Sequence, residues 1–122
     1  MQTTQSTNLL LEKVIEGIQE KKGKGIVIAD LTTIEDCICR YLVICEGNSP
    51  NQVSAITSSV KDYVKKKAYI RPLSIDGSKN AQWVAMDYGD VVVHVFLPEI
   101  REYYQLESLW NDAKLTKIPD IV

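Results

Sequence analysis

The sequence predicts an α+β domain in which helices flank a mixed five-stranded β-sheet. Three observations support this fold class. Apolar residues recur at helical spacing in two long segments, residues 8–22 and 50–67. Short continuous apolar runs at residues 25–31 and 41–45 are typical of strands buried on both faces. The segment QWVAMDYGDVVVHVFLP, residues 82–98, alternates with a period of two around a Tyr-Gly pair, which indicates a β-hairpin.

Length and composition fit one globular domain. The chain has 122 residues, 45% hydrophobic and 25% charged, which is enough to bury a core. We expect a single domain over residues 1–122, with a folded core at residues 8–113 and flexible ends. No apolar run approaches the roughly 20 residues that a membrane-spanning helix needs, and no secretory signal is visible. A cytoplasmic protein is therefore expected.

The first helix and strand follow from periodicity and glycine placement. The helix is predicted from Asn8 to Lys22, with Thr7 or Asn8 as its cap. Its buried face holds Leu11, Val14, Ile15 and Ile18. In the following KKGKG, Gly23 and Gly25 are expected to supply the left-handed cap and the turn into the strand GIVIADL. Residues 31–40 are ambiguous between a loop and a short strand.

The second helix carries a clear start signal. After the strand YLVIC, Ser49 is expected to cap the helix, Pro50 to occupy its first position and Gln52 to complete a capping box. Its apolar stripe comprises Val53, Ile56, Val60, Tyr63 and Val64. The turn before it has one Gly and no following Lys, so the phosphate-binding P-loop signal is absent.

The remaining elements are an edge strand, the hairpin and a closing helix. Pro72 within YIRPLSI predicts an edge position, because proline cannot donate to a sheet ladder. Pro98 and Glu99 suit the start of a short helix. Its apolar surface comprises Ile100, Tyr103, Tyr104, Leu106, Leu109 and Trp110. The tail from residue 115 to residue 122 is expected to be mobile.

The hairpin is predicted to have two different faces. With Tyr88 and Gly89 as the loop, Asp87 would face Asp90 and Trp83 would face His94. The opposite face is wholly apolar and is expected to pack on the core: Val84, Met86, Val91, Val93, Val95 and Leu97. The mixed face would show Trp83, His94, Phe96 and both carboxylates, which suggests a recognition surface. A helical layer covering this face is the alternative, since Trp and Phe are also common core residues.

Cysteine, histidine and charge content restrict the chemistry. Cys37, Cys39 and Cys45 are too few and too close for a disulfide framework, and we expect free buried thiols and no metal site or cofactor. His94 is the only histidine, and an interface role is favoured over catalysis.

The net charge of −2 argues against a protein that coats nucleic acid. The run 65–67, three lysines ending the second helix, leaves a minor contact with RNA open, although such runs usually face solvent.

The segment WVAMDYGDVVVHVFLPEIREYYQLESLW, with CEGNSPNQV upstream, resembles the Iojap or ribosomal silencing factor family over roughly residues 8–113. The resemblance implies a nucleotidyltransferase-like sheet without the catalytic carboxylates. It also implies a non-enzymatic repressor of translation that binds the large ribosomal subunit through ribosomal protein uL14 and blocks subunit joining when nutrients are short. Family members often form homodimers, which the apolar C-terminal part of this chain would suit.

The expected partner-binding residues combine the resemblance with the hairpin pairing. The full set is Trp83, Asp87, Tyr88, His94 and Tyr104, with Phe96 and Arg101 as outer candidates. The family motif matches these positions, and the pairing independently places Trp83, Asp87 and His94 on one face. Tyr88 lies at the turn, and Tyr104 is placed by the resemblance alone. The alternative function is a metal-dependent nucleotidyltransferase using Asp87 and Asp90, for which two carboxylates would have to converge on metal ions. Turn aspartates more often accept backbone N–H bonds.

Overall fold

The computed structural model describes residues 4–34, 39–105 and 113–121. In these residues the elements are α1 Thr4–Glu20, β1 Lys24–Asp30, β2 Tyr41–Glu46, α2 Pro50–Ala68, β3 Ser74–Asp76, β4 Trp83–Asp87, β5 Val91–Phe96, α3 Pro98–Tyr104 and β6 Lys114–Lys117. Six strands form one sheet in the order β3-β4-β5-β2-β1-β6. β5 and β2 are parallel, and the other neighbouring pairs are antiparallel. The predicted mixed α+β fold is confirmed, with one strand more than expected.

The main core lies between the sheet and the helix pair α1 and α2. The helices approach closely at Gly17, where an added Cβ would lie 3.0 Å from the Cα of Val60. Beneath them, the predicted apolar face of the hairpin is fully buried, which confirms its assignment. The residues that form this core from the hairpin are Val84, Met86, Val91, Val93, Val95 and Leu97.

The opposite face of the sheet carries a second, smaller buried cluster. Its members are Ala29, Leu31, Cys39, Leu42, Ile44 and Phe96. Trp83, Val92 and Ile100 pack against it while remaining partly exposed. This cluster explains why β1 and β2 read as continuous apolar runs, since their residues face an apolar layer on both sides.

The two ends of α1 differ from expectation. The helix begins at Thr4, so Thr7 is inside it and the predicted cap at Thr7 or Asn8 is wrong. At the other end, Lys22 and not Gly23 adopts the left-handed conformation, with φ 56°. The N–H of Gly23 then closes the helix by donating to the Ile18 carbonyl at 3.0 Å. Gly23 is needed for space, because a Cβ there would lie 2.4 Å from Ile18 Cγ2.

The start of α2 confirms the predicted cap. The Ser49 hydroxyl accepts a hydrogen bond from the Gln52 N–H at 3.1 Å, and Pro50 occupies the first turn. The Gln52 side chain reaches back to the N–H of Asn48 at 2.7 Å, one residue earlier than a standard capping box. Gln52 also donates to the Lys21 carbonyl at 3.2 Å, which ties this helix start to the end of α1.

The C-terminal tail was predicted to be mobile, and this prediction is wrong for the described residues. β6 pairs antiparallel with β1, with Lys117 opposite Val27. Beyond it, Ile118 donates its N–H to the Ile26 carbonyl at 2.9 Å, and Asp120 accepts from the Gly25 N–H at 2.9 Å. A four-residue strand with every side chain exposed has no hydrophobic alternation, so its sequence gave no strand signal.

The other edge of the sheet and the cysteines agree with the sequence. β3 is a three-residue edge strand that begins two residues after Pro72.

Cys39 and Cys45 are buried, as expected, and burial raises the pKa of the Cys45 thiol to about 12. Cys37 lies outside the described residues. Among those residues, no helix is both long and apolar enough to cross a membrane.

Candidate functional site

The β4–β5 hairpin has the predicted faces but a different loop. Asp87 pairs with Val92 and Trp83 pairs with Phe96, which makes Gly89 and Asp90 the two-residue loop. Gly89 has a φ of 88°, a value that glycine adopts at no steric cost. The predicted pairs Asp87 with Asp90 and Trp83 with His94 are therefore wrong. The pairing is displaced by two positions, and a displacement by two leaves the side chains of the two strands on their predicted faces.

Four aromatic rings meet on the mixed face of this hairpin. The Trp83 indole stacks on Phe96 with ring centroids 5.0 Å apart, and Tyr104 approaches it from α3 at 4.8 Å. The Trp83 Nε1–H donates a hydrogen bond to His94 Nδ1 at 2.9 Å. We call Trp83, His94, Phe96 and Tyr104 the aromatic surface. These contacts fix the indole in one orientation while part of it remains exposed to solvent.

Burial determines the charge state of His94 on this surface. Removal from water lowers its pKa to about 4, because the imidazolium loses solvation. The ring is therefore neutral at pH 7, and its Nδ1 is available to accept the proton of the Trp83 indole. Protonation would place a second donor opposite that N–H, so the Trp83–His94 hydrogen bond depends on a neutral histidine.

α3 is held against the sheet by an arginine that also defines the position of Tyr104. Arg101 Nη1 donates to the Gly25 carbonyl at 2.6 Å and to Glu46 Oε1 at 3.0 Å. Gly25 has a φ of 61°, and a Cβ there would lie 2.6 Å from the Arg101 guanidinium. Arg101 is thus engaged inside the molecule, and it supports the aromatic surface by positioning α3.

A small cavity of about 190 Å³ borders the aromatic surface. Trp83, Ile100 and Tyr104 form its apolar wall. The turn before β4 supplies the rest, with Gly77, Asn80 and Gln82. A concave site with aromatic walls and polar groups at its rim is suited to receive a protruding side chain.

The structure brings some predicted site residues together and separates others. Trp83, His94 and Tyr104 are clustered and partly exposed, with Phe96 fully buried beneath them. Tyr88 is not among them: it is 3% exposed and belongs to the main core under α1 and α2. Its hydroxyl has no hydrogen-bond partner among the described residues, and burial raises its pKa well above the usual range. Leu106, Leu109 and Trp110 lie outside the described residues.

The two carboxylates of the hairpin do not share a site. Asp87 accepts a hydrogen bond from the Gly89 N–H at 2.8 Å, the turn role expected for it. Asp90 accepts from the Thr7 hydroxyl of α1 at 2.9 Å, so its predicted place on the mixed face is wrong. The described residues contain no group of three or more His, Cys, Asp or Glu side chains that could hold a metal ion. Asp87 has a local role in the turn, and Asp90 joins the turn to α1.

Comparison with known proteins shows which family this chain resembles. The model of the family described as "Ribosomal silencing factor during starvation" matches residues 3–122. This chain belongs to the ribosomal silencing factor family. The ribosomal silencing factor of Halalkalibacterium halodurans is 35% identical over 117 residues, covering 96% of this chain and 98% of that protein. The Bacillus subtilis ribosomal silencing factor is 38% identical over 109 residues, covering 89% and 91%.

Solved structures agree with the family assignment. A crystal structure of a Chromobacterium violaceum protein superposes with a TM-score of 0.78 at 33% identity, covering 91% of this chain and 88% of that one. The resemblance inferred from the hairpin motif is thereby confirmed. Membership in the ribosomal silencing factor family supports a ribosome-associated role in the regulation of translation, and the family is not known as an enzyme family.

Two contacts that organise the site were missed in the sequence. The Arg101–Gly25–Glu46 contact joins three segments that are far apart in the chain. Its one local sign is Gly25, whose φ is positive. The Thr7–Asp90 hydrogen bond spans 83 positions and has no sequence pattern at all. Both depend on tertiary packing, which periodicity cannot reveal.

Proposed function

We propose that this protein represses translation by binding the large ribosomal subunit at ribosomal protein uL14, the partner that the family resemblance implies. A folded domain at that intersubunit position would sterically prevent the small subunit from joining. Translation would then fall under nutrient limitation. The protein would act in the cytoplasm, without a cofactor or a catalytic step, and as a homodimer when it is not bound to the ribosome.

The partly exposed and rigidly held Trp83 is the observation that carries this proposal. Trp and Tyr are the residues most enriched at the energetic centres of protein interfaces, because they contribute a large contact area at little entropic cost. Trp83 is already immobilised by Phe96 and His94, so binding would restrict it little further. Tyr104, 49% exposed, and Tyr103, 80% exposed, extend the apolar area on α3.

The remaining proposed site residues contribute in different ways. Asp87 lies on the same face of the hairpin, half-buried, and would contact the partner directly at the rim. Phe96 supports Trp83 from below, and Arg101 positions α3. Tyr88 would act by holding the hairpin loop in the main core. The cavity of about 190 Å³ beside Trp83 would receive one side chain of the partner.

Co-sedimentation with separated ribosomal subunits tests the proposal. We expect wild type to travel with the large subunit and not with the small one, and to bind isolated uL14 in a pull-down. Trp83→Ala should weaken both interactions. A matched control is Leu115→Ala, which removes an exposed apolar side chain from β6, at the far edge of the sheet. If wild type sediments with neither subunit, ribosome docking is wrong; if Leu115→Ala weakens binding as much as Trp83→Ala does, binding is not centred on the aromatic surface.

A further inference from the structure

A basic cavity lies at the opposite side of the hairpin from the aromatic surface. It encloses about 340 Å³ between the C-terminal half of α2 and the segment that leads into β3. Its lining consists of Lys61, Lys65, Arg71, Pro72, Ser74 and Ile75. We call Lys61, Lys65 and Arg71 the basic cradle.

The charge of this region departs from that of the whole chain. Residues 61–71 hold five cationic side chains and one acid, whereas the chain as a whole has a net charge of −2. Lys61 and Lys65 are four positions apart and therefore lie on the same side of α2. No ion pair neutralises any of the three cradle cations within the described part of the chain. Unpaired cations around a concave site favour an anionic ligand.

The helix dipole alone does not account for this concentration of charge. Cations near a helix C-terminus complement about half a negative charge. Lys65, Lys66 and Lys67 in the last turn of α2 already exceed that requirement. Lys61 lies one turn earlier and Arg71 lies beyond the helix, and both face the cavity. The cradle therefore retains positive charge that is available to a ligand.

An exposed aromatic ring between Lys65 and Arg71 in the chain indicates what kind of anion would bind. Tyr69 ends α2 in a left-handed conformation, with φ 59°, and its N–H donates to the Lys65 carbonyl at 3.1 Å. Its side chain is 88% exposed. A ring held away from the protein next to phosphate-binding cations is the combination by which proteins bind unpaired nucleotides, with the base stacked on the ring.

We infer that the basic cradle binds a backbone phosphate of ribosomal RNA and that Tyr69 stacks on an adjacent unpaired base. The cradle shares no residue with the aromatic surface, so a ligand in the cradle leaves that surface free. The Leu73 N–H donates to the Asp87 carbonyl at 2.6 Å, so the segment that carries Arg71 borders the strand that carries Trp83. This RNA contact adds to the proposed docking on the large subunit and, in the ribosome, rests on it.

Fluorescence anisotropy with a labelled oligouridine tests the RNA contact directly on the full chain. We expect Lys61→Ala/Arg71→Ala to weaken binding about tenfold at low salt and to reduce the salt slope by about 0.7, the contribution of one phosphate contact to a single strand. Tyr69→Ala should weaken binding about fivefold or more, and Tyr69→Phe should restore it. The charge-matched control is Lys24→Ala/Lys117→Ala, on the exposed side chains of β1 and β6.

Three outcomes would overturn the inference. They are no binding of oligouridine by wild type, equal weakening in the control double variant, and equal competition by inorganic polyphosphate with no effect of Tyr69→Ala. Failure of the docking proposal is distinguishable, because it would abolish wild-type binding to isolated uL14 while leaving the oligouridine result intact. If both proposals hold, Lys61→Ala/Arg71→Ala binds uL14 like wild type but binds the whole large subunit more weakly.

Discussion

The two faces of the β4–β5 hairpin share one backbone and differ in almost every other respect. On one face, Val84, Met86 and Val93 are completely buried under α1 and α2. On the other, Trp83, Val92 and His94 remain partly exposed above a small apolar cluster. Within the two strands, the first face contains no polar side chain, whereas the second contains a partly buried histidine, a carboxylate and an indole N–H. The comparison separates residues that stabilise the fold from residues that are available to a partner.

Met86→Ala should have the largest effect, and it should be confined to stability. Met86 is fully buried in the main core, and truncation would leave a cavity. We expect the free energy of unfolding to fall by about 2–5 kcal/mol, measured by urea denaturation. Binding of the folded fraction to the large subunit should be unchanged. Equal loss of binding affinity by the folded fraction would show that the two faces are not separable.

Trp83→Ala should show the opposite pattern. We expect a loss of about 2 kcal/mol or more in binding free energy, corresponding to roughly thirtyfold in Kd, because the indole is the central anchor of the aromatic surface. Titration of labelled protein against large subunits measures it, with urea denaturation confirming that the variant folds. Trp83→Phe keeps an aromatic ring at this position but loses the N–H to His94 and part of the contact area, so an intermediate affinity is expected. A variant that unfolds without a specific binding defect would place Trp83 in the core.

Val→Thr substitutions at two adjacent positions, one on each face of the hairpin, compare the two faces. Threonine has nearly the same shape as valine, so only the polarity changes. Val93→Thr puts a hydroxyl into the fully buried face and should cost about 1–3 kcal/mol of unfolding free energy. Val92→Thr makes the same chemical change on the partly exposed face and should cost about 0.5 kcal/mol or less. Equal losses of unfolding free energy, in thermal or urea denaturation, would mean that Val92 and Val93 are equally shielded from water.

His94 should make stability depend on pH. Its pKa is lowered by burial to about 4 from an ordinary value of 6.5, so the unfolded chain binds the extra proton first. The stabilisation is complete above pH 6.5 and is lost as pH falls toward 4. Between pH 7 and pH 5 we expect a loss of up to about 2 kcal/mol of unfolding free energy. His94→Gln should remove this part of the pH profile, and an unchanged profile would show that His94 titrates normally.

The sequence was sufficient to assign the core face of the hairpin, because side chains alternate along a strand and Val91, Val93 and Val95 therefore form one unbroken apolar row. It was insufficient for the loop. Both Tyr88-Gly89 and Gly89-Asp90 place a glycine in a two-residue turn, and the choice depends on the Thr7–Asp90 contact and on burial of Tyr88. The aromatic surface was predicted in part, since Trp83 and His94 share a strand pair, whereas the place of Tyr104 depends on Arg101 and Gly25.

Light scattering during subunit joining tests the central claim most directly. Large subunits are incubated with the protein, small subunits are added, and formation of the joined ribosome is followed over time. The account predicts that wild type and Leu115→Ala suppress joining at saturating concentration, while folded Trp83→Ala allows it to proceed. Normal joining in the presence of saturating wild-type protein, or equal suppression by Trp83→Ala at concentrations where only wild type should be bound, would contradict the account.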